Sequence, residues 1–176
     1  YQLSGTLIGS NSFPPIAESG VFTADGKGGI TNGTDDQTPN LASDTFTGTY
    51  TMAKDGTGFL TFQFSGGSLQ FAITMVKSSK FYLTSVDGTA NASGIGEQQT
   101  ASAITSVPNG TFAFRIHNEN TLQGPIAQVG TFTIANGVVT GNEDVLVSGG
   151  SVSSQSLTGS FNAPTGSGRG TGTLVD

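Results

Sequence analysis

The chain of 176 residues contains no cysteine, no tryptophan and one histidine, and only 10% of its residues are charged. An average globular protein has roughly 25% charged residues. Without thiols there is no disulfide scaffold and no Cys-based zinc or iron–sulfur centre. A single histidine, His117, leaves a transition-metal site or a nucleophile–base pair short of partners. It reads as a solvated residue at a strand end. Six basic residues stand against twelve acids, a net charge of −6. That balance argues against a nucleic-acid partner, which needs Lys and Arg to neutralise phosphates, and against attraction to an anionic membrane surface. No apolar run approaches the ~20 residues of a membrane-spanning helix, so no membrane insertion is expected. Lys, Glu and Leu are too sparse for coiled-coil heptads, and Gly lacks the third-residue period of collagen.

What is present is glycine, threonine and phenylalanine: 27 Gly and 12 Phe. The phenylalanines recur among Val, Ile and Leu, which argues against disorder. Their spacing is period two. In Thr45–Met52, Phe46, Gly48, Tyr50 and Met52 share one face and Thr fills the other. A pleated strand sends neighbours to opposite sides, so this writes a half-buried strand. Leu60, Phe62 and Phe64, then Leu69, Phe71, Ile73 and Met75, then Phe112, Phe114 and Ile116 repeat the pattern. Asp25-Gly26, Asp55-Gly56, Asp87-Gly88 and Asn136-Gly137 punctuate the runs with the positive φ angles that hairpin turns need. The expected strands are 1–8, 17–24, 29–34, 45–53, 57–65, 68–77, 80–86, 92–98, 110–117, 127–135, 138–147, 154–162 and 169–175. Asp25-Gly26-Lys27-Gly28-Gly29 reads as a hairpin rather than a phosphate loop, because no helix follows it.

Landmarks recur in order. Ile16–Thr23 (IAESGVFT) is echoed by Ile126–Thr133 (IAQVGTFT), Phe46–Tyr50 by Leu157–Phe161, and Gly56-Thr57-Gly58 by Gly168-Arg169-Gly170. Tyr1-Gln2-Leu3 is aligned with Phe112-Ala113-Phe114. The fold expected is all-β: two related antiparallel units, barrel-like or sandwich-like, the second incomplete. Residues 1–99 form the complete unit, 100–109 a linker and 110–176 a partial copy. The copy lacks counterparts of Ser68–Lys77, Lys80–Val86 and Ala92–Glu97, and should expose an apolar face and free strand edges.

The Gly-Thr-aromatic strand starts, the Phe-Thr-Ala-Asp-Gly hairpin at Phe22–Gly26 and the Thr-Gly-Thr-Tyr-Thr strand at Thr47–Thr51 resemble the Gly/Thr-rich tandem β-modules of secreted bacterial surface proteins. The resemblance covers unit one and the start of unit two. It implies an extracellular, non-catalytic building block with no cofactor. Low charge and abundant Ser and Thr also point to a secreted or cell-surface setting. The opening Tyr1-Gln2-Leu3, with neither Met nor a basic-then-apolar leader, is expected of a processed chain or a fragment of a longer array.

The acids Asp35-Asp36 and Glu143-Asp144 occupy equivalent places in the two units. They are candidate calcium ligands, although two carboxylates per cluster fall short of the six to eight oxygens Ca²⁺ takes. The alternative is a charged strand edge that discourages wrong pairing. Glycoside hydrolysis needs two carboxylates facing one another across a cleft, and Glu18, Asp44, Glu97 and Glu119 cannot be paired from sequence. No Gly-x-Ser-x-Gly elbow is present. The Asn-x-Ser/Thr triplets at Asn32, Asn91 and Asn109 matter only where the source glycosylates its proteins.

The leading expectation is a structural subunit of a filament or surface assembly, its partners copies of itself, joined by strand addition. Tyr1 and Leu3 would belong to a donated strand, and Phe112, Phe114, Phe132, Phe161 and Leu174 to the open unit that accepts one or more strands. The alternative is an adhesin or glycan-binding module using the loops Gly9–Pro15 and Gln37–Asp44, with Tyr82 as an exposed aromatic.

Overall fold

The structure is a computed structural model that describes residues 1–8, 14–38, 42–100, 105–120, 124–147 and 150–175. The fold is all-β, with thirteen strands and no helix among these residues. Accordingly, none of them lies in a helix long and apolar enough to cross a membrane. The chain divides into two compact units, Tyr1–Gln98 and Gln99–Asp176.

Unit one is a closed antiparallel barrel of eight strands. They are β1 (Gln2–Leu7), β2 (Pro15–Ala24), β3 (Gly29–Gln37), β4 (Ala42–Met52), β5 (Thr57–Phe64), β6 (Gly67–Lys77), β7 (Lys80–Ser85) and β8 (Ala90–Glu97). Each strand bonds its neighbour in sequence, and β8 returns to β1 with Leu3 opposite Gly94. Closure removes the exposed edges an open sheet would carry.

The turns follow from local chemistry. Gly26, Gly56 and Gly88 hold φ of 74°, 85° and 78°. The aspartate before each fastens its own turn: Asp25 Oδ1 accepts from the Lys27 and Gly29 amides at 2.7 and 2.8 Å. Asp55 and Asp87 accept in the same way from Thr57 and Thr89. The Gly-rich stretch after Asp25 is thus a hairpin connection.

An eight-stranded barrel is just wide enough for side chains to fill. Here the filling is aromatic. The Phe62 ring lies 4.4 Å from that of Phe46, 5.2 Å from Tyr1, 5.3 Å from Phe71 and 5.5 Å from Phe22, centroid to centroid. Leu3, Ile30, Leu60, Ile73, Leu83 and Ala92 complete the core.

The largest differences from the expected boundaries are shifts of three residues, and unit one has two of them. Strand β3 continues through Asp35 and Asp36 to Gln37, and β4 starts at Ala42 rather than Thr45. The acids do not end β3 because Asp35 finds partners inside the barrel. Parts of the two loops expected to form a binding end, residues 9–13 and 39–41, lie outside the described residues. So do residues 101–104 of the expected linker.

Unit two is a five-stranded antiparallel sheet that does not close. Its strands are β9 (Gly110–Asn120), β10 (Gly124–Ala135), β11 (Val138–Val147), β12 (Val152–Phe161) and β13 (Gly172–Val175). They lie in sequence order, which leaves β9 and β13 at the edges. Asn136 and Gly137, both at positive φ, form the two-residue turn between β10 and β11.

In each unit a glycine of one strand faces an aromatic ring of its neighbour. Tyr1 exchanges backbone hydrogen bonds with Gly20, and the missing Cβ of Gly20 makes room for the Tyr1 ring, which a Cβ would approach to 2.6 Å. In unit two the residue paired with Gly130 is Phe114, whose ring a Cβ there would approach to 2.7 Å.

Candidate functional site

Two places hold the chemistry: an acid–tyrosine cluster in the barrel and the open face of the five-stranded sheet.

Alternation along β2 turns Ile16, Glu18, Gly20 and Phe22 to one side, which in the barrel is the interior. On β3 a bulge at Thr31–Asn32, with Asn32 at φ 52°, sets Ile30, Gly33 and Asp35 inward together. Asp35 is 0% and Glu18 6% exposed. Between them stands the Tyr1 hydroxyl, 2.7 Å from Glu18 Oε1 and 2.9 Å from Asp35 Oδ1. Gln37 Nε2 donates to Asp35 Oδ2 at 3.3 Å.

A phenol has one hydrogen to give, while its oxygen can accept another. Both contacts are fully satisfied when one carboxyl carries a proton and donates it to the phenolic oxygen. The electrostatics agree. Burial pushes the Glu18 carboxyl up to about 7, against the pull of the Tyr1 hydrogen bond and with help from the Asp35 charge. Burial raises Asp35 to about 6, opposed by its bonds to Tyr1 and Gln37 and assisted by the charges of Asp36 and Asp44. Burial and the two acids push the Tyr1 phenol well above its usual range. The cluster ties β1, β2 and β3 together, and burial favours the protonated form of its carboxyls.

The paired acids do not act as pairs. Asp35 points into the barrel and its neighbour Asp36 to the other face, as strand geometry dictates. Glu143 is buried on the inner face of unit two, whereas Asp144 lies on the outer face and accepts from the Ser154 hydroxyl at 2.5 Å. Among the described residues no three His, Asp or Glu side chains gather as metal ligands. The backbone of His117 lies in β9 opposite Ala127, and its side chain is outside the described residues.

The second place is the inner face of unit two. Ile134, Val139, Val145 and Leu157 are buried in it. Phe132 stacks against Phe112 at 5.6 Å and lies 5.8 Å from Phe114. The ladder places Phe112, Phe114, Phe132, Phe161 and Leu174 on this one face. Along the edge strands the cover is missing: Phe112 and Ile116 on β9 and Leu174 on β13 are exposed. Among the described residues, strands β9 and β13 each bond a neighbour along one side only.

Tyr1 and Leu3 are not with them. They belong to β1, which is bonded to β2 on one side and β8 on the other. A strand with both edges satisfied has no free hydrogen-bonding groups to offer a neighbour, so β1 is not the donated strand while the barrel stays closed.

Sequence reasoning set Glu18 aside as unpairable. The signal was its place among Ile16, Gly20 and Phe22 on the apolar side of an alternating strand. Its partners come from β1 and β3, and only the barrel brings them together.

Neither protein-family models, curated proteins nor solved structures match this chain.

Proposed function

We propose that the protein is a non-enzymatic structural module of an extracellular or cell-surface assembly, built from two copies of one β-unit. The first copy is closed and the second joins to further β-strands at its open edges. The copy reading is supported by register. Gly20 pairs with Asp35 as Gly130 pairs with Glu143, and Gly33 with Phe46 as Gly141 with Leu157.

The observation that carries the proposal is Leu174. It pairs with Gly159 as Phe62 pairs with Gly48. Phe62 is 0% exposed at the centre of the barrel, and Leu174 is 48% exposed. An apolar side chain at a core position, on a strand with an unbonded edge, favours association: burial releases water and the free amides and carbonyls gain partners. Strand addition that does not close on itself propagates into a filament. Low charge and abundant Ser and Thr support the extracellular setting.

Analytical ultracentrifugation and negative-stain microscopy across a concentration series test the proposal. Concentration-dependent oligomers or filaments are expected, and a single monomeric species at every concentration overturns it.

A second reading, a glycan-binding module, has one observation in its favour: Tyr82 lies on the outside of the barrel with 55% of its surface exposed. A glycan-array signal lost in Tyr82→Ala would support that reading.

A further inference from the structure

In unit one, β5 is covered by β6 and β1 by β8. Phe71 stands opposite Leu60, Leu69 opposite Phe62, and Gly94 opposite Leu3. Unit two presents the same rows uncovered. Gly172 and Leu174 pair with Phe161 and Gly159 as Leu60 and Phe62 pair with Tyr50 and Gly48. Ile116 pairs with Gln128 as Leu3 pairs with Glu18. Thus β13 stands where β5 stands, and β9 where β1 stands. Between β5 and β1 the barrel has three further strands, β6, β7 and β8.

We infer that the open sheet accepts one three-stranded antiparallel β-segment of the kind formed by Gly67–Glu97, its first strand bonding β13 and its last bonding β9. This rests on reading the two units as copies of one design. A single added strand would satisfy one edge and leave the other open. Three strands satisfy both and bring the count to eight, the size at which side chains fill a barrel interior.

The uncovered rows also state the chemistry of the occupant. Its first strand turns alternating apolar residues inward, as Leu69, Phe71 and Ile73 do, to cover Leu174 and the Phe161 ring lying over Gly172. Its last strand carries glycine opposite Ile116, as Gly94 stands opposite Leu3, where a Cβ would come within 2.6 Å of the Leu3 Cα. Its inward side chains are uncharged, as Phe71, Ile73, Leu83 and Ala92 are in the barrel core.

The test appends a second copy of residues 67–97 after Asp176 through a Gly/Ser linker and follows amide hydrogen exchange by mass spectrometry. A control carries the same residues in scrambled order. Exchange in β9 and in β13 is expected to slow by about tenfold or more with the native order and not with the scrambled one. Protection of one edge only, protection of neither, or equal protection by the scrambled copy overturns the inference. The two proposals fail separately. Unaltered chain that assembles while the fusion leaves both edges unprotected removes the three-stranded occupant and keeps strand addition. Unaltered chain that stays monomeric while the fusion protects both edges removes association between chains and keeps the occupant.

Discussion

Leu174 and Phe62 are each paired with a glycine, Gly159 and Gly48, yet Phe62 is sealed in a core and Leu174 is half exposed. The difference is made by neighbours, not by the residues. Phe62 has β6 alongside its strand, and Leu174 has no strand beyond β13 among the described residues.

The pair should respond differently to truncation. Phe62→Ala removes a buried ring from the centre of an aromatic cluster and should cost about 3–5 kcal/mol. Leu174→Ala removes a half-exposed side chain and should cost below about 1 kcal/mol. Urea denaturation followed by circular dichroism, with hydrogen exchange to separate the two units, measures both.

Leu174→Asp should weaken self-association while leaving the barrel intact. Burying a leucine is worth about 1.5–3 kcal/mol, so the association constant should fall by roughly ten- to a hundredfold. Sedimentation equilibrium reads that change, and the thermal midpoint of unit one should not move.

The acid–tyrosine cluster makes barrel stability depend on pH. Glu18 and Asp35 are raised in the folded protein, to about 7 and about 6. A raised carboxyl binds its proton more tightly folded than unfolded. Its contribution is therefore fully present below the ordinary carboxylate range and is lost as pH rises through the folded value. Between about pH 4 and 7 the barrel should lose on the order of 5 kcal/mol, the two groups together. In Glu18→Gln this loss should shrink, because one of the two titrating groups is gone. Equal slopes for the two proteins in urea titrations at several pH values would count against the raised Glu18 carboxyl.

Tyr1→Phe removes the hydroxyl between two buried carboxyls without changing the ring that packs on Gly20. Buried polar groups left without a partner cost about 1–3 kcal/mol. The loss should be larger at pH 8 than at pH 5, since the carboxyls then face one another ionised. Thermal melts at the two pH values give the comparison.

Much of the strand layout is legible in local chemistry. Alternating Phe and Thr mark strand faces, and Asp-Gly and Asn-Gly mark turns that the backbone confirms at Gly26, Gly56, Gly88 and Gly137. The reading failed where a residue's meaning depends on a distant partner. Asp35 looked like the end of a strand and is an interior residue, because Tyr1, 34 positions away, supplies its hydrogen bond. Phe112 and Phe114 are interchangeable by pattern, and only the ladder sets Phe114 opposite Gly130.

Period-two alternation and turn residues act between neighbours in sequence, so thirteen extended segments and their faces can be read from the chain alone. Closure is of another kind. Joining Gln2 to Ile95 depends on the accumulated twist and tilt of every strand between them. The folded barrel alone turns Glu18, Asp35 and Tyr1 into one hydrogen-bonded cluster, because burial and proximity are properties of assembled strands. The same holds for the open sheet: five segments written in the same alternation leave two edges apart, since closure needs a full complement of strands.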